Sequence, residues 1–205
     1  MTKASALADF LRPAIRSERV LAAIASVPRE RFVPAGDRDR AYENVALPIG
    51  SGQTISQPLV VARMLELLEL RESDRVLDVG TGSGYHAALL ALLAGEVWTI
   101  ERHDELSAEA ELTIRGLGIE NVAFAIGDGS HGLPDHAPFD AINVAAATGA
   151  SVPEALQDQL GRSGRLVAPV GVDGQHLTLI RRLGARLEAT TLEPVRFVPL
   201  IVRDE

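Results

Sequence analysis

The sequence predicts an α/β domain on a doubly wound, mostly parallel sheet, with N-terminal helices and a C-terminal β-hairpin. Three observations carry this expectation. Residues 75 to 90, RVLDVGTGSGYHAALL, run from a short apolar strand through three glycines into an alanine- and leucine-rich helix. From there to residue 171 apolar runs alternate with helical spacing, as a parallel sheet with crossover helices requires. From His176 onward the pattern turns to period two about Gly184, the signature of a hairpin.

Taken in order, residues 5 to 27 carry two short helical stripes, Leu7, Phe10, Leu11, Ile15 and then Val20, Leu21, Ile24, interrupted at Pro13. Pro28 ends the second, and Phe32 and Val33 follow as core anchors in a loop. From Ala35 to Pro58 there is little periodicity, and a connection of that length inside a compact domain suggests a binding loop pinned by Val45, Leu47, Ile49 and Ile55. Pro58 opens a helix whose stripe reads Val60, Met64, Leu67, Leu68. Strands are then expected at RVLDV, EVWTIE, VAFAI, FDAINVAAA and GRSGRLVAPVG, with helices over Tyr85 to Leu93, about Asp104 to Leu117, and PEALQDQL. The 205 residues and 46% hydrophobic content fit one domain, 1-205, with residues 1-58 forming helices and loop and 59-205 the core with its C-terminal strands.

Composition narrows the function. A formal net charge of -8 with no basic run disfavours nucleic acid as partner. The absence of cysteine removes disulfide and thiolate chemistry. No apolar stretch has the length to cross a bilayer and the N-terminus lacks a signal-peptide core, so a cytoplasmic location without membrane contact is expected. His131 and His136, with Asp128 and Asp135 nearby, lack ligand spacing, so no metal is expected.

The chemistry is concentrated in the glycine turn. Gly80, Gly82 and Gly84 let the backbone turn sharply and approach a ligand closely. Their spacing is G-x-G-x-G rather than the dinucleotide G-x-G-x-x-G, and Asp78 stands two residues before the first glycine, where it would repel a pyrophosphate and attract a cation. Glu101 ends the next strand, and Asp128 and Gly129 follow the third. Three acids at three consecutive strand ends favour a nucleoside-type site, with a Rossmann dehydrogenase as the alternative.

The turn resembles motif I of the class I S-adenosylmethionine-dependent methyltransferases, which implies a Rossmann-like methyltransferase fold and a sulfonium ligand. Over most of the chain the resemblance is narrower. VPRERFVP, ALPIGSGQTISQP, IER, IGDGSHGLPDHAPFDAI, QDQLGRSGRLVAPVG and VRFVPL stand in the order found in the protein-L-isoaspartate O-methyltransferase family, from about Arg29 to Leu200. This implies methyl transfer from S-adenosylmethionine, leaving S-adenosylhomocysteine, to the free α-carboxylate of isoaspartyl residues in proteins and peptides. The ester then closes to a succinimide, from which aspartate is recovered.

By the same resemblance the cofactor contacts are Thr54, Asp78, Gly80, Gly82, Gly84, Glu101, Asp128 and Gly129. Ser56 is the hydroxyl at the substrate carboxylate, and the backbone at Val195 and Val198 offers further donors. A carboxylate is already ionised at neutral pH, so it needs placement rather than a general base. Ser56 could instead cap the following helix; Pro58 favours Gln57 as the cap and leaves Ser56 free. Arg196, alternating with Val195 and Phe197, reads as solvent face. Asn143 departs from the family pattern and needs a hydrogen-bond partner in an apolar strand. A relative dedicated to one peptide and a non-catalytic module are the competing readings, and a monomer is expected.

Overall fold

The computed structural model describes residues 2–201. Two helices come first, α1 (Lys3–Leu11) and α2 (Glu18–Ser26). Thr2 and Ser17 cap them, their hydroxyls accepting from the N–H groups of Ser5 and Val20. A small antiparallel hairpin, β1 (Leu47–Gly50) and β2 (Gln53–Ile55), precedes α3 (Pro58–Leu68). The main sheet comprises β3 (Arg75–Val79), β4 (Glu96–Glu101), β5 (Val122–Ile126), β6 (Phe139–Val144), β7 (Leu160–Val170), β8 (Gln175–Leu183) and β9 (Arg186–Val195). Its helices are α4 (Tyr85–Leu93), α5 (Asp104–Arg115) and α6 (Glu154–Asp158).

The strand order is β5-β4-β3-β6-β7-β8-β9. β3 to β7 are parallel, and β8 and β9 return antiparallel. The chain therefore winds outward from β3 through β4 and β5, then crosses back to β6 on the other side of β3. Such a reversal opens a crevice at the carboxyl ends of the strands, and the glycine turn sits there.

Helix α4 explains why the turn is held firmly. Its residues are apolar on all sides, and all but Leu92 are buried. It lies in a core shared with α1, α2, α3 and the underside of the sheet. Arg19 of α2 donates to the carbonyls of Leu70 and Leu93, tying α2 to the far ends of α3 and α4.

Several expectations shift. Residues 35 to 58 are not one long loop, because a 3₁₀ segment (Ala35–Arg40) and the β1–β2 hairpin occupy much of them. Leu47 and Ile55 are buried anchors there, whereas Val45 is exposed. The buried face of α3 is Val61, Ala62, Met64, Leu65 and Leu68. Val60 and Leu67 are only half-buried, because α3 faces both α2 and the sheet and so buries a face wider than one stripe. The C-terminal hairpin turns at Gly184 as expected, with φ of 65°.

Candidate active site

The glycine turn leaves β3 with Gly80 at φ 93°, a conformation that favours glycine. The N–H groups of Gly80 and Thr81 both donate to the carbonyl of Ile100, fixing the turn to the end of β4. Its remaining donors are largely taken. Gly84 N–H donates to the Thr81 carbonyl at 2.8 Å, Tyr85 N–H to the Ser83 hydroxyl at 3.3 Å, and Gly82 N–H to the Glu101 carboxylate at 2.9 Å. The protein thus supplies its own anion at the start of α4. A pyrophosphate would compete with Glu101 there, whereas a cationic, diol-bearing ligand meets a carboxylate.

Glu101 is buried, and its other oxygen accepts from the N–H groups of Arg102 and His103 at 2.9 and 3.1 Å. It lines the cleft together with Thr54, Ser56, Gly80, Gly82 and Gly129. Asp128 lies in an adjoining cavity with Arg102, Ile126 and Ile201. One of its oxygens accepts from the Ser130 N–H and hydroxyl at 2.9 and 2.7 Å, so it also caps the short 3₁₀ turn Gly129–His131.

Two expected ligand contacts do not face the cleft. Asp78 is fully buried beneath the turn, on one rung of the sheet with Thr99 and Asn143. It accepts from Asn143 Nδ2 at 2.7 Å and from the Thr99 hydroxyl at 3.0 Å, and Thr99 in turn bonds the Thr81 hydroxyl at 2.6 Å. Burial, reinforced by the Glu101 charge and opposed by these hydrogen bonds, pushes the Asp78 carboxyl up to about 7. Asp78 therefore braces the turn from below. Gly84 also faces away from the cleft: a Cβ there would stand 2.9 Å from that of Ala110. The third glycine lets α4 approach α5.

Ser56 sits between β2 and α3. Gln57 occupies the cap position in a non-helical conformation with no side-chain cap bond, and Pro58 is the first helical residue. The N–H of Leu59, in the first turn of α3, is satisfied by Asn44 Oδ1 at 3.0 Å, a cap supplied from the preceding loop. The Ser56 hydroxyl has no partner among the described residues, while its carbonyl accepts from Arg29 Nη2 at 2.8 Å. Arg29 is completely buried, donates a second bond to the Ala41 carbonyl at 2.8 Å, and lies 4.8 Å over the Tyr85 ring. Burial lowers Arg29 to about 10, raises Tyr85 to about 12 and drops His86 to about 4. Tyr85 and His86, both lining the cleft, are accordingly uncharged at neutral pH.

A second cavity adjoins the cleft. Val195 and Val198 line it, and Thr54, Ser56, Ala145 and Val198 belong to both. The segment after β9 is pinned by Gln175, whose side-chain oxygen accepts from the Phe197 N–H at 2.6 Å and whose amide donates to the Phe197 carbonyl at 3.0 Å. The N–H groups of Arg196 and Val198, beside Val195 on the cavity wall, have no partner among the described residues. Ala147 then holds the chain, donating to the Val198 carbonyl and accepting from Leu200.

His131 and His136 lie in surface 3₁₀ turns, and the His136 ring stacks on Trp98 with centroids 3.6 Å apart. No group of three or more His, Cys, Asp or Glu among the described residues is placed to hold a metal. Sequence reasoning missed Arg29, Asn44 and Gln175. A sequence signal existed for Arg29, which stands beside the buried anchors Phe32 and Val33.

The reversal in strand order and the glycine turn closed by Glu101, with a second cavity adjoining the cleft, define a class I S-adenosylmethionine-dependent methyltransferase. The model of the family described as Protein-L-isoaspartate(D-aspartate) O-methyltransferase matches residues 3–205. The chain belongs to that family. It is 52% identical over 198 residues to the protein-L-isoaspartate O-methyltransferase of Roseiflexus castenholzii, spanning 96% of this chain and 90% of that protein. With its counterpart from Aeromonas salmonicida it shares 53% over 190 residues, 93% of this chain and 92% of that one. A solved Plasmodium falciparum structure, titled "putative protein-L-isoaspartate O-methyltransferase" and in complex with S-adenosyl-L-homocysteine, superposes with a TM-score of 0.86. It is 26% identical and covers 98% of this chain and 99% of that one.

Proposed function

We propose that this chain methylates the free α-carboxylate of L-isoaspartyl residues in damaged proteins and peptides, with Ser56 as the residue that orients the acceptor. The observation that carries the assignment is the position of Ser56, whose unpartnered hydroxyl stands on the wall common to both cavities. When bound, S-adenosylmethionine supplies a methyl group on a sulfonium and is released as neutral S-adenosylhomocysteine.

The chain's own residues then have three tasks. Glu101 holds the ribose hydroxyls, with Thr54, Gly80, Gly82, Gly129 and Asp128 around the rest of the nucleoside; Asp78 and Gly84 act from behind, on the shape of the turn. Ser56 and the N–H groups near Val195 and Val198 hold the acceptor carboxylate in line with the methyl group. The enclosing walls exclude water, so that opposite charges approach with little solvent to rearrange. An oxygen–carbon bond forms as the sulfur–carbon bond breaks, both charges disappear, and no proton moves. The neutral Tyr85 and His86 are in keeping with a site that needs no base.

We assign this activity to one domain, working as a monomer in the cytoplasm, without nucleic acid and without membrane contact. Among the described residues no helix is long and apolar enough to cross a membrane.

The test is transfer of label from methyl-labelled S-adenosylmethionine to two peptides that differ only in isoaspartate or aspartate at one position. Base-labile label on the isoaspartyl peptide alone is expected. Label on the aspartyl peptide alone, or on neither, would overturn the reading.

A further inference from the structure

The acceptor cavity carries a single ionisable side chain. Its walls are otherwise amide, hydroxyl and apolar groups, from Asn44 and Gln57 on one side to Phe197 and Val198 on the other; Arg196 is the exception. In sequence Arg196 looks like the solvent face of an edge strand. In the structure β9 ends at Val195, one residue earlier, and Arg196 is exposed within the cavity wall.

Arg196 is also uncommitted. Its side chain makes no hydrogen bond or ion pair among the described residues. The nearest acid in sequence, Glu193, is engaged by Arg63 at 3.0 Å. On a chain of net charge -8, an unpaired guanidinium in the acceptor cavity is a local reversal of sign.

We propose that Arg196 sets substrate specificity, favouring isoaspartyl peptides that carry an aspartate or glutamate close to the isoaspartate. The proposal rests on the reading that Ser56 marks the end of this cavity where the reacting carboxylate lies. Arg196 is two residues from Val198 on the same wall, a span of at most about 7 Å in extended chain. A peptide whose isoaspartate reaches Ser56 and Val198 therefore runs its neighbouring side chains past the guanidinium. A fork of N–H donors recognises a carboxylate by paired hydrogen bonds. Because the group is solvent-exposed, the gain is modest and sensitive to salt.

The experiment uses three isoaspartyl peptides that differ only in carrying Glu, Gln or Lys on the residues flanking the isoaspartate. Dissociation constants are measured by fluorescence anisotropy in the presence of S-adenosylhomocysteine, and KM for each peptide by methyl transfer. For the unaltered protein at low salt, the Glu peptide should bind about threefold to tenfold more tightly than the Lys peptide, with the spread shrinking as salt is raised. Arg196→Gln should collapse the spread and Arg196→Glu should invert it, with S-adenosylhomocysteine binding by calorimetry verifying that each variant is folded.

Equal affinities in the unaltered protein, or a spread that survives Arg196→Gln, would overturn the proposal. So would an equal loss for all three peptides, which would make Arg196 a clamp on the reacting carboxylate itself. If no peptide is methylated at all, the functional reading fails first.

Discussion

Arg29 donates to the carbonyl of Ser56 at 2.8 Å from a position with no solvent exposure, and it forms no ion pair among the described residues. A buried cation without a counter-charge is costly. Here it is offset by two carbonyl acceptors and the face of Tyr85, and it joins the Ser56 loop to the first turn of α4.

Replacing Arg29 by Met should leave the Ala41 and Ser56 carbonyls without donors. At about 1–3 kcal/mol for each stranded group, the expected destabilisation is about 2–6 kcal/mol, or a fall in Tm of about 4–24 °C for a chain of this size. Thermal melts read this directly. Because the bond ends on Ser56, KM for the peptide should rise more than the dissociation constant of S-adenosylhomocysteine.

Ser56→Ala removes a hydrogen bond to a charged acceptor, worth about 1.5–3 kcal/mol. The expectation is a loss of about tenfold to hundredfold in kcat/KM with cofactor affinity nearly unchanged. Steady-state kinetics beside calorimetry would test it. Parallel losses in both would mean that Ser56 serves the cofactor.

The Asp78 carboxyl has a pH signature. Its folded value of about 7 lies above its ordinary 3.8, so the folded state prefers the protonated form. That preference contributes fully below pH 3.8 and is lost as pH rises toward 7. Relative to Asp78→Asn, which cannot ionise, the unaltered protein should lose about 4 kcal/mol of stability across that window. Urea titrations of both proteins at several pH values would show it; a constant difference would mean that Asp78 ionises normally.

Glu101→Gln keeps one acceptor for the turn but loses the charge and the second oxygen. Binding of S-adenosylmethionine, followed by calorimetry, should weaken by about tenfold or more, since a charged hydrogen bond is replaced by a neutral one. Unchanged affinity would remove Glu101 from the cofactor site.

Gly84→Ala should destabilise by about 2 kcal/mol or more, from its left-handed φ of 86° and the contact with Ala110. Combining it with Ala110→Gly removes the contact and should recover part of the loss, whereas full additivity of the two losses would exclude it.

The sheet and its helices were legible because periodicity and glycine punctuation are local. Tyr85–Leu93 and Glu96–Glu101 fall where the sequence put them. The hairpin at Leu47–Ile55 was not, since its strands are only four and three residues long and too short for a period. In the site, Glu101 and the glycines could be read from strand ends. The direction in which Asp78 points could not, because it depends on Thr99 and Asn143 from two other strands meeting on one rung. Arg29, Asn44 and Gln175 were hidden for the same reason: each acts on backbone 15 or more residues away, at Ser56, Leu59 and Phe197.

The chain's one tryptophan gives this molecule an optical property. Trp98 lies in β4 against His136, its indole N–H donating to Glu96, and it borders neither cavity. Its emission should be nearly blind to cofactor and peptide, and should instead change with loss of the stack on His136 and with separation of β4 from its neighbours. Intrinsic fluorescence is therefore a clean reporter of unfolding that can be followed with the site loaded or empty, and a poor choice for measuring what binds there.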